Sequence, residues 1–111
     1  MEINDAIGAL TALGQETRLA IFRLLVAHEP DGLAAGEIAV ALDVLPNTLS
    51  ANLAILARAG LVTSAREGRS IRYRADLAAM DMLIGFLTRD CCGGRPDLCG
   101  LEPQSEGTSR C

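Results

Sequence analysis

All four cysteines of this 111-residue chain lie in its last 21 positions, and the first ninety residues have none. Three of them, Cys91, Cys92 and Cys99, fall within the segment DCCGGRPDLC at residues 90–99. Thiolates are soft ligands that select As(III), Sb(III), Cu(I), Cd(II) or Zn(II). Adjacent Cys91 and Cys92 can turn onto one atom if a helix end frays, which Gly93-Gly94 permits, and the Gly-Gly-Arg-Pro turn can fold Cys99 back as a third sulfur. Three sulfurs and a lone pair complete As(III), whereas zinc usually takes a fourth ligand. Cys111 could supply one only by closing residues 100–110, at an entropic cost, so it is read as a bystander. The same three thiols could instead form a disulfide or sulfenate switch, or go unused.

The charges nearby bear on that choice. The cysteines follow a helix C-terminus, where the macrodipole is negative, with Asp90 and Asp97 beside them and only Arg89 and Arg95 in compensation. Free thiolates are disfavoured in such a field, and a zinc tris-thiolate would bring further negative charge. Arsenite exchanges three hydroxides for three thiols and gives a neutral product, so the sign of the field favours the metalloid.

The totals set the frame for a site of this kind. The chain is 50% apolar but only 3% aromatic, so its core must be Leu, Ile, Val and Ala. A domain this small buries a modest share of its surface, which makes a second copy a reasonable source of extra core. No apolar run approaches the ~20 residues needed to span a bilayer. The N-terminus, MEINDAIGAL, is acidic and amphipathic, unlike a secretory signal. A cytoplasmic protein is expected, in keeping with clustered cysteines that serve ligation rather than a disulfide framework. No paired carboxylates, nucleophile–His pair or phosphate loop stands out, so an enzyme is not expected.

Net charge is −4, yet its distribution is uneven. Residues 46–74 carry Arg58, Arg66, Arg69, Arg72 and Arg74 against Glu67 alone, a basic island between acidic flanks. A phosphate-binding surface needs such a local patch, not a basic whole. The island begins with residues 46–60, PNTLSANLAILARAG, where Leu49, Leu53, Ile55, Leu56 and Ala59 recur at helical spacing. Pro46 suits a first helical turn and Gly60 a stop. Asn47, Thr48, Ser50 and Asn52 near the start are the residue types that read base edges in a major groove. Taken alone the stretch is an ordinary amphipathic helix; its neighbours give it meaning.

Ile3, Ile7, Leu10 and Leu13 predict a first short helix broken near Gly14. ETRLAIFRLLVAH, residues 16–28, is too apolar for a surface helix and predicts a central one, ended by Pro30 and Gly32. Residues 36–42, GEIAVAL, predict a short third helix, and Asp43 to Leu45 a tight connection: together with the reading helix, a helix-turn-helix. After Gly60, Leu61-Val62-Thr63 and Ile71-Arg72-Tyr73-Arg74 read as two strands joined by residues 64–70. That hairpin is a wing whose arginines, Arg66, Arg69, Arg72 and Arg74, can reach phosphates or the minor groove. Asp76 caps a last helix over residues 77–89, in which Leu77, Met80, Ile84 and Leu87 make a coiled-coil-like seam. The first and last helices are expected to pair in a dimer interface. From Glu102 the chain is polar and is expected to be a disordered tail.

The runs ETRLAIFRLL, GEIAVAL, PNTLSANLAILARAGLV and REGRSIRYR resemble the ArsR/SmtB family of bacterial metal- and metalloid-responsive winged-helix repressors over roughly residues 5–90. The resemblance implies a mostly α fold with a small β-hairpin, in the order α-α-α-α-β-β-α, forming a homodimer that leaves a palindromic operator when an inducer binds. Two familiar inducer sites are missing. Residues 33–37, Leu-Ala-Ala-Gly-Glu, lack the Cys-x-Cys box of many arsenic repressors, and the last helix lacks the His of zinc sensors; the single histidine, His28, ends the core helix. What remains resembles the C-terminal Cys-Cys…Cys site of a subgroup of arsenite-responsive members. The expected organisation is therefore a DNA-binding and dimerisation domain at 1–90, a cysteine inducer site at 91–99 and a tail at 100–111. The expected function is an operator-binding repressor that needs no cofactor and is released by As(III) or Sb(III), with a thiol redox sensor or a zinc-responsive repressor as the alternative.

Overall fold

The central helix is set by its first residues. The Gln15 Oε1 accepts the Arg18 backbone N–H at 2.9 Å, and the helix then runs Glu16–Ala27, turning Ile21, Phe22 and Leu25 into the core. In the computed structural model, which describes residues 1–89, this is α2 of five helices. The others are α1 (Ile3–Leu13), α3 (Ala35–Leu42), α4 (Pro46–Arg58) and α5 (Leu77–Arg89). The strands are β1 (Leu33–Ala34), β2 (Val62–Glu67) and β3 (Ser70–Ala75). Cys91, Cys92, Cys99 and Cys111, together with the expected tail, lie outside the described residues.

One core joins every helix to the sheet. Ile21, Leu25, Ile38, Leu49, Leu56 and Leu61 are fully buried, and the small face of α1, Ala6, Ala9 and Ala12, packs against them. Of the four residues whose spacing predicts α1, Leu13 packs against this core, whereas Ile3, Ile7 and Leu10 are 62%, 54% and 45% exposed. Alanines let a helix sit close to the core, and the larger side chains are left outside.

The end of α4 follows from Gly60. With φ at +81° it takes the left-handed conformation, its N–H reaches the Ala57 carbonyl, and the Leu61 N–H reaches the Leu56 carbonyl. This paired arrangement satisfies the last carbonyls of the helix and delivers Leu61, 1% exposed, into the core at the start of the wing. The Leu61 carbonyl then accepts the Asp76 N–H at 2.8 Å, while Asp76 Oδ1 caps α5 through the Ala79 N–H at 3.1 Å.

The wing differs from expectation in extent. Its strands pair antiparallel from Val62↔Ala75 to Glu67↔Ser70, leaving only Gly68 and Arg69 as the turn, with Gly68 at φ +65°. Such two-residue hairpin turns continue the twist of the strands and need a positive φ, so the ladder runs further than residues 64–70 suggested. A third strand was not foreseen: β1 pairs with β3 through Leu33↔Tyr73 and Ala34↔Arg72, giving the order β1-β3-β2. Two residues are too few for alternation to signal a strand. Gly32, at φ +74°, makes this pairing possible, because a Cβ there would collide with the Tyr73 carbonyl and Arg74 Cγ.

Candidate nucleic-acid interface

The two helices of the expected helix-turn-helix meet at a sharp bend of 113° between α3 and α4. Asp43 turns the chain in the left-handed conformation (φ 56°), and its successor Val44 donates to the Ala39 carbonyl at 3.0 Å. Aspartate tolerates that conformation better than most residues. Pro46 then opens α4 where no N–H is needed. Leu49, Leu53 and Leu56 anchor the inner face, and Asn47, Thr48 and Ser50 stand exposed on the leading turns.

Asn52, expected beside them, points the other way. It is 9% exposed; its Oδ1 accepts from Arg18 Nη1 at 3.1 Å and its Nδ2 donates to the Thr48 carbonyl at 3.0 Å. Positions 49, 52, 53 and 56 form the i, i+3, i+4, i+7 set of one helical face, so the inward orientation was present in the spacing although the residue type suggested otherwise. Arg58 is exposed but lies eleven residues beyond Asn47, roughly 16 Å along the axis at 1.5 Å per residue. It lines a surface cavity of about 430 Å³ with Met1, Asp5 and Gly8 of the N-terminal segment and Ala79 and Met82 of α5. Its charge is therefore set back from the leading turn.

The wing arginines divide into two pairs. Arg66 and Arg69 are exposed at the tip and have no internal hydrogen-bond or ion-pair partner among the described residues. Arg72 donates to the Gly32 carbonyl at 2.9 Å and the Asp31 carbonyl at 3.4 Å, and Arg74 donates to the Pro30 carbonyl at 2.9 Å. Both also meet Glu67, at 3.2 and 3.5 Å. These two clamp the wing to the loop before β1 and share one carboxylate, so part of their charge is spent internally. The backbone carbonyls they hold could not be foreseen from residue type.

Arg18 and Glu67 are functional candidates that charge counting left aside. For Arg18 the signal was a cation one turn before the buried pair Ile21 and Phe22 in the central helix. Among the described residues no three His, Cys, Asp or Glu side chains gather in a metal-binding group. His28 is an exposed residue at the C-terminal end of α2, its N–H bonded to the Leu25 carbonyl. No single helix among the described residues is long and apolar enough to cross a membrane.

Comparison with known proteins agrees with this geometry. A helix-turn-helix domain family model matches residues 13–65. The transcriptional activator HlyU of Vibrio cholerae is 33% identical over 94 residues, covering 83% of this chain and 84% of the relative. A Halobacterium salinarum protein with the provisional name arsenical resistance operon repressor ArsR is 35% identical over 81 residues, covering 72% of this chain and 61% of its own length. An ArsR-like transcriptional regulator from Rhodococcus sp. RHA1 superposes with a TM-score of 0.72 at 30% identity, covering 82% of this chain and 83% of that one. The homodimeric winged helix-turn-helix DNA-binding domain of Mb0332 from Mycobacterium bovis does so with a TM-score of 0.64 at 29% identity, covering 84% and 86%. With an exposed polar turn on the second helix of a helix-turn-helix, a basic wing beside it and relatives that regulate transcription, the chain belongs to the ArsR/SmtB superfamily of winged helix-turn-helix regulators, proteins that bind DNA and are not enzymes.

Proposed function

We propose that the protein is a homodimeric repressor that occupies a palindromic operator and leaves it when As(III) or Sb(III) is coordinated by Cys91, Cys92 and Cys99. The observation that carries this reading is the position of the cysteine pair, two residues beyond the last described residue of α5. Of the expected seam of that helix, Leu77, Ile84 and Leu87 are 45%, 50% and 41% exposed, whereas Met80 packs against the core. The Halobacterium relative is named for arsenical resistance, and the Mb0332 domain for its homodimeric state, which supports both halves of the proposal. The HlyU relative is named an activator, so repression rests on the inducer chemistry rather than on kinship.

In the proposed mechanism three As–S bonds replace three As–O bonds, three waters leave, and the complex is neutral. Gathering three sulfurs at the end of α5 redirects that end of the helix and with it the seam between two copies. Half-sites lie one helical turn, ~34 Å, apart, so a shift of a few Å prevents both reading turns from docking together. Only a difference in inducer affinity between the two dimer geometries is required. Asn47, Thr48 and Ser50 contact base edges, Arg66 and Arg69 contact phosphates, and Arg72 and Arg74 hold the wing at the height where they can do so.

The test measures release from a selected duplex by arsenite, antimonite, zinc and peroxide for the parent and for Cys91→Ser, Cys92→Ser, Cys99→Ser and Cys111→Ser. Arsenite or antimonite should release the parent and Cys111→Ser, and the other three should stay bound. If those three respond like the parent, the ligand assignment is wrong. Release by peroxide alone, reversed by dithiothreitol, would make the protein a thiol redox sensor. Release by zinc alone would make it a zinc sensor.

A further inference from the structure

Arg18 joins three helices through its side chain. Its Nε donates to the Ala12 carbonyl at 2.6 Å, and its Nη1 donates to Asn52 Oδ1 at 3.1 Å. Asn52 Nδ2 in turn donates to the Thr48 carbonyl at 3.0 Å. Ala12 is in the last turn of α1, where carbonyls lack intrahelical donors and a cation is favoured. Thr48 is in the first turn of α4, between exposed Asn47 and the buried anchor Leu49. A continuous line of three hydrogen bonds thus runs from the end of α1, through the start of α2, to the turn that faces DNA.

The rest of the inner face of α4 is leucine. Hydrophobic contact is non-directional, and leucines against alanines and leucines tolerate small rolls of the helix. Hydrogen bonds weaken steeply away from their preferred angles. A rotation of α4 that moves Asn47, Thr48 and Ser50 relative to a base edge would also break the Arg18–Asn52 bond and leave the buried Asn52 Oδ1 without its donor. We infer that Arg18 and Asn52 form a strut that fixes the roll of α4, making Arg18 a positioning residue for sequence discrimination that itself contacts no DNA. The inference rests on α4 being the base reader.

The test begins with duplexes enriched by the parent protein from a random pool, together with scrambled versions of them. Dissociation constants for both are measured across a salt series for the parent, Arg18→Met, Asn52→Asp and Arg18→Lys. Arg18→Met removes both donations, whereas Asn52→Asp keeps the acceptor for Arg18 but loses the bond to Thr48. Arg18→Met should reduce the ratio of selected to scrambled affinity about tenfold, with scrambled-DNA affinity and its salt slope unchanged, whereas Asn52→Asp, which retains the bond to Arg18 and loses only one within α4, should keep most of the ratio. Arg18→Lys, which can satisfy one acceptor, should recover part of the ratio. A parallel fall on both DNAs with a shallower slope would make Arg18 a phosphate contact and overturn the inference. So would an unchanged ratio in Arg18→Met, a ratio that falls there only as helical circular dichroism is lost, or an equal fall in Asn52→Asp. If the parent itself enriches no sequence, α4 is not the reader; if parent and variants discriminate equally, only the strut fails.

Discussion

At the scale of single residues, a formal charge is a poor guide to what DNA meets. Four wing arginines are equivalent in the sequence, yet Arg72 and Arg74 are engaged by the carbonyls of Pro30, Asp31 and Gly32 and by Glu67. On the proposed reading, in which Arg66 and Arg69 each make one phosphate contact, Arg66→Ala and Arg69→Ala should each weaken binding to every duplex and lower the slope of log K against log salt by about one. Arg72→Ala should change the slope less and instead lower stability by about 1 kcal/mol, the usual net worth of an internal hydrogen bond. Fluorescence anisotropy over a salt series and urea unfolding separate the two outcomes; a full unit of slope lost in Arg72→Ala with unchanged stability would contradict the division. Asn47→Ala, by contrast, should narrow the gap between selected and scrambled duplexes and leave the slope alone. Asn52 shows why residue type misleads here. An amide near the front of a reading helix suggests a base contact, but its helical phase puts it among Leu49, Leu53 and Leu56, and phase decides.

At the scale of elements, periodicity and punctuation carried most of the information. Pro46 and Gly60 bound α4, Asp76 caps α5, and the central helix buries Ile21, Phe22 and Leu25, although Leu19 and Val26, counted with them in the sequence, stay 44% and 40% exposed. What periodicity could not resolve was which of two apolar faces of α1 turns inward, because Ala6, Ala9 and Ala12 compete with Ile3, Ile7 and Leu10 and only the closeness of the neighbouring helices selects the smaller set. Nor could it reveal β1, which exists because Gly32 brings the chain against β3. That contact gives a stability prediction. Gly32→Ala adds a Cβ that meets the Tyr73 carbonyl and Arg74 Cγ at a residue held at φ +74°. Strain of this kind costs of order 1–3 kcal/mol, and the lost β1–β3 pairing places the expected value near the top of that range. Gly68→Ala, where φ is also positive but nothing stands within 4 Å, should cost less. Urea midpoints for the two proteins give the comparison, and equal losses would show that backbone strain alone, not the approach to β3, sets the cost.

At the scale of the whole molecule, the apolar surface left over by folding points to a second copy. Ile3, Ile7 and Leu10 on α1 and Leu77, Ile84 and Leu87 on α5 are 41–62% exposed, and the two helices are in contact. Scattered exposed hydrophobics need no explanation, but six on two helices in contact are apolar surface that a second copy would cover. Stable interfaces bury ~800 Å² per partner, and a buried charge in the middle of one has no partner to compensate it. Ile84→Glu should therefore shift the protein from dimer to monomer in sedimentation velocity. Val40→Glu, at an 84% exposed position on α3, should not. Each monomer keeps its reading turn and wing, so affinity for an isolated half-site should be unchanged in Ile84→Glu. Affinity for the palindrome should fall by about 10²–10⁴, because the second half-site is no longer held at high effective concentration. A palindrome affinity that survives in a monomeric Ile84→Glu would mean that the two half-sites are bound independently, and inducer binding at the end of α5 would then have no seam through which to act.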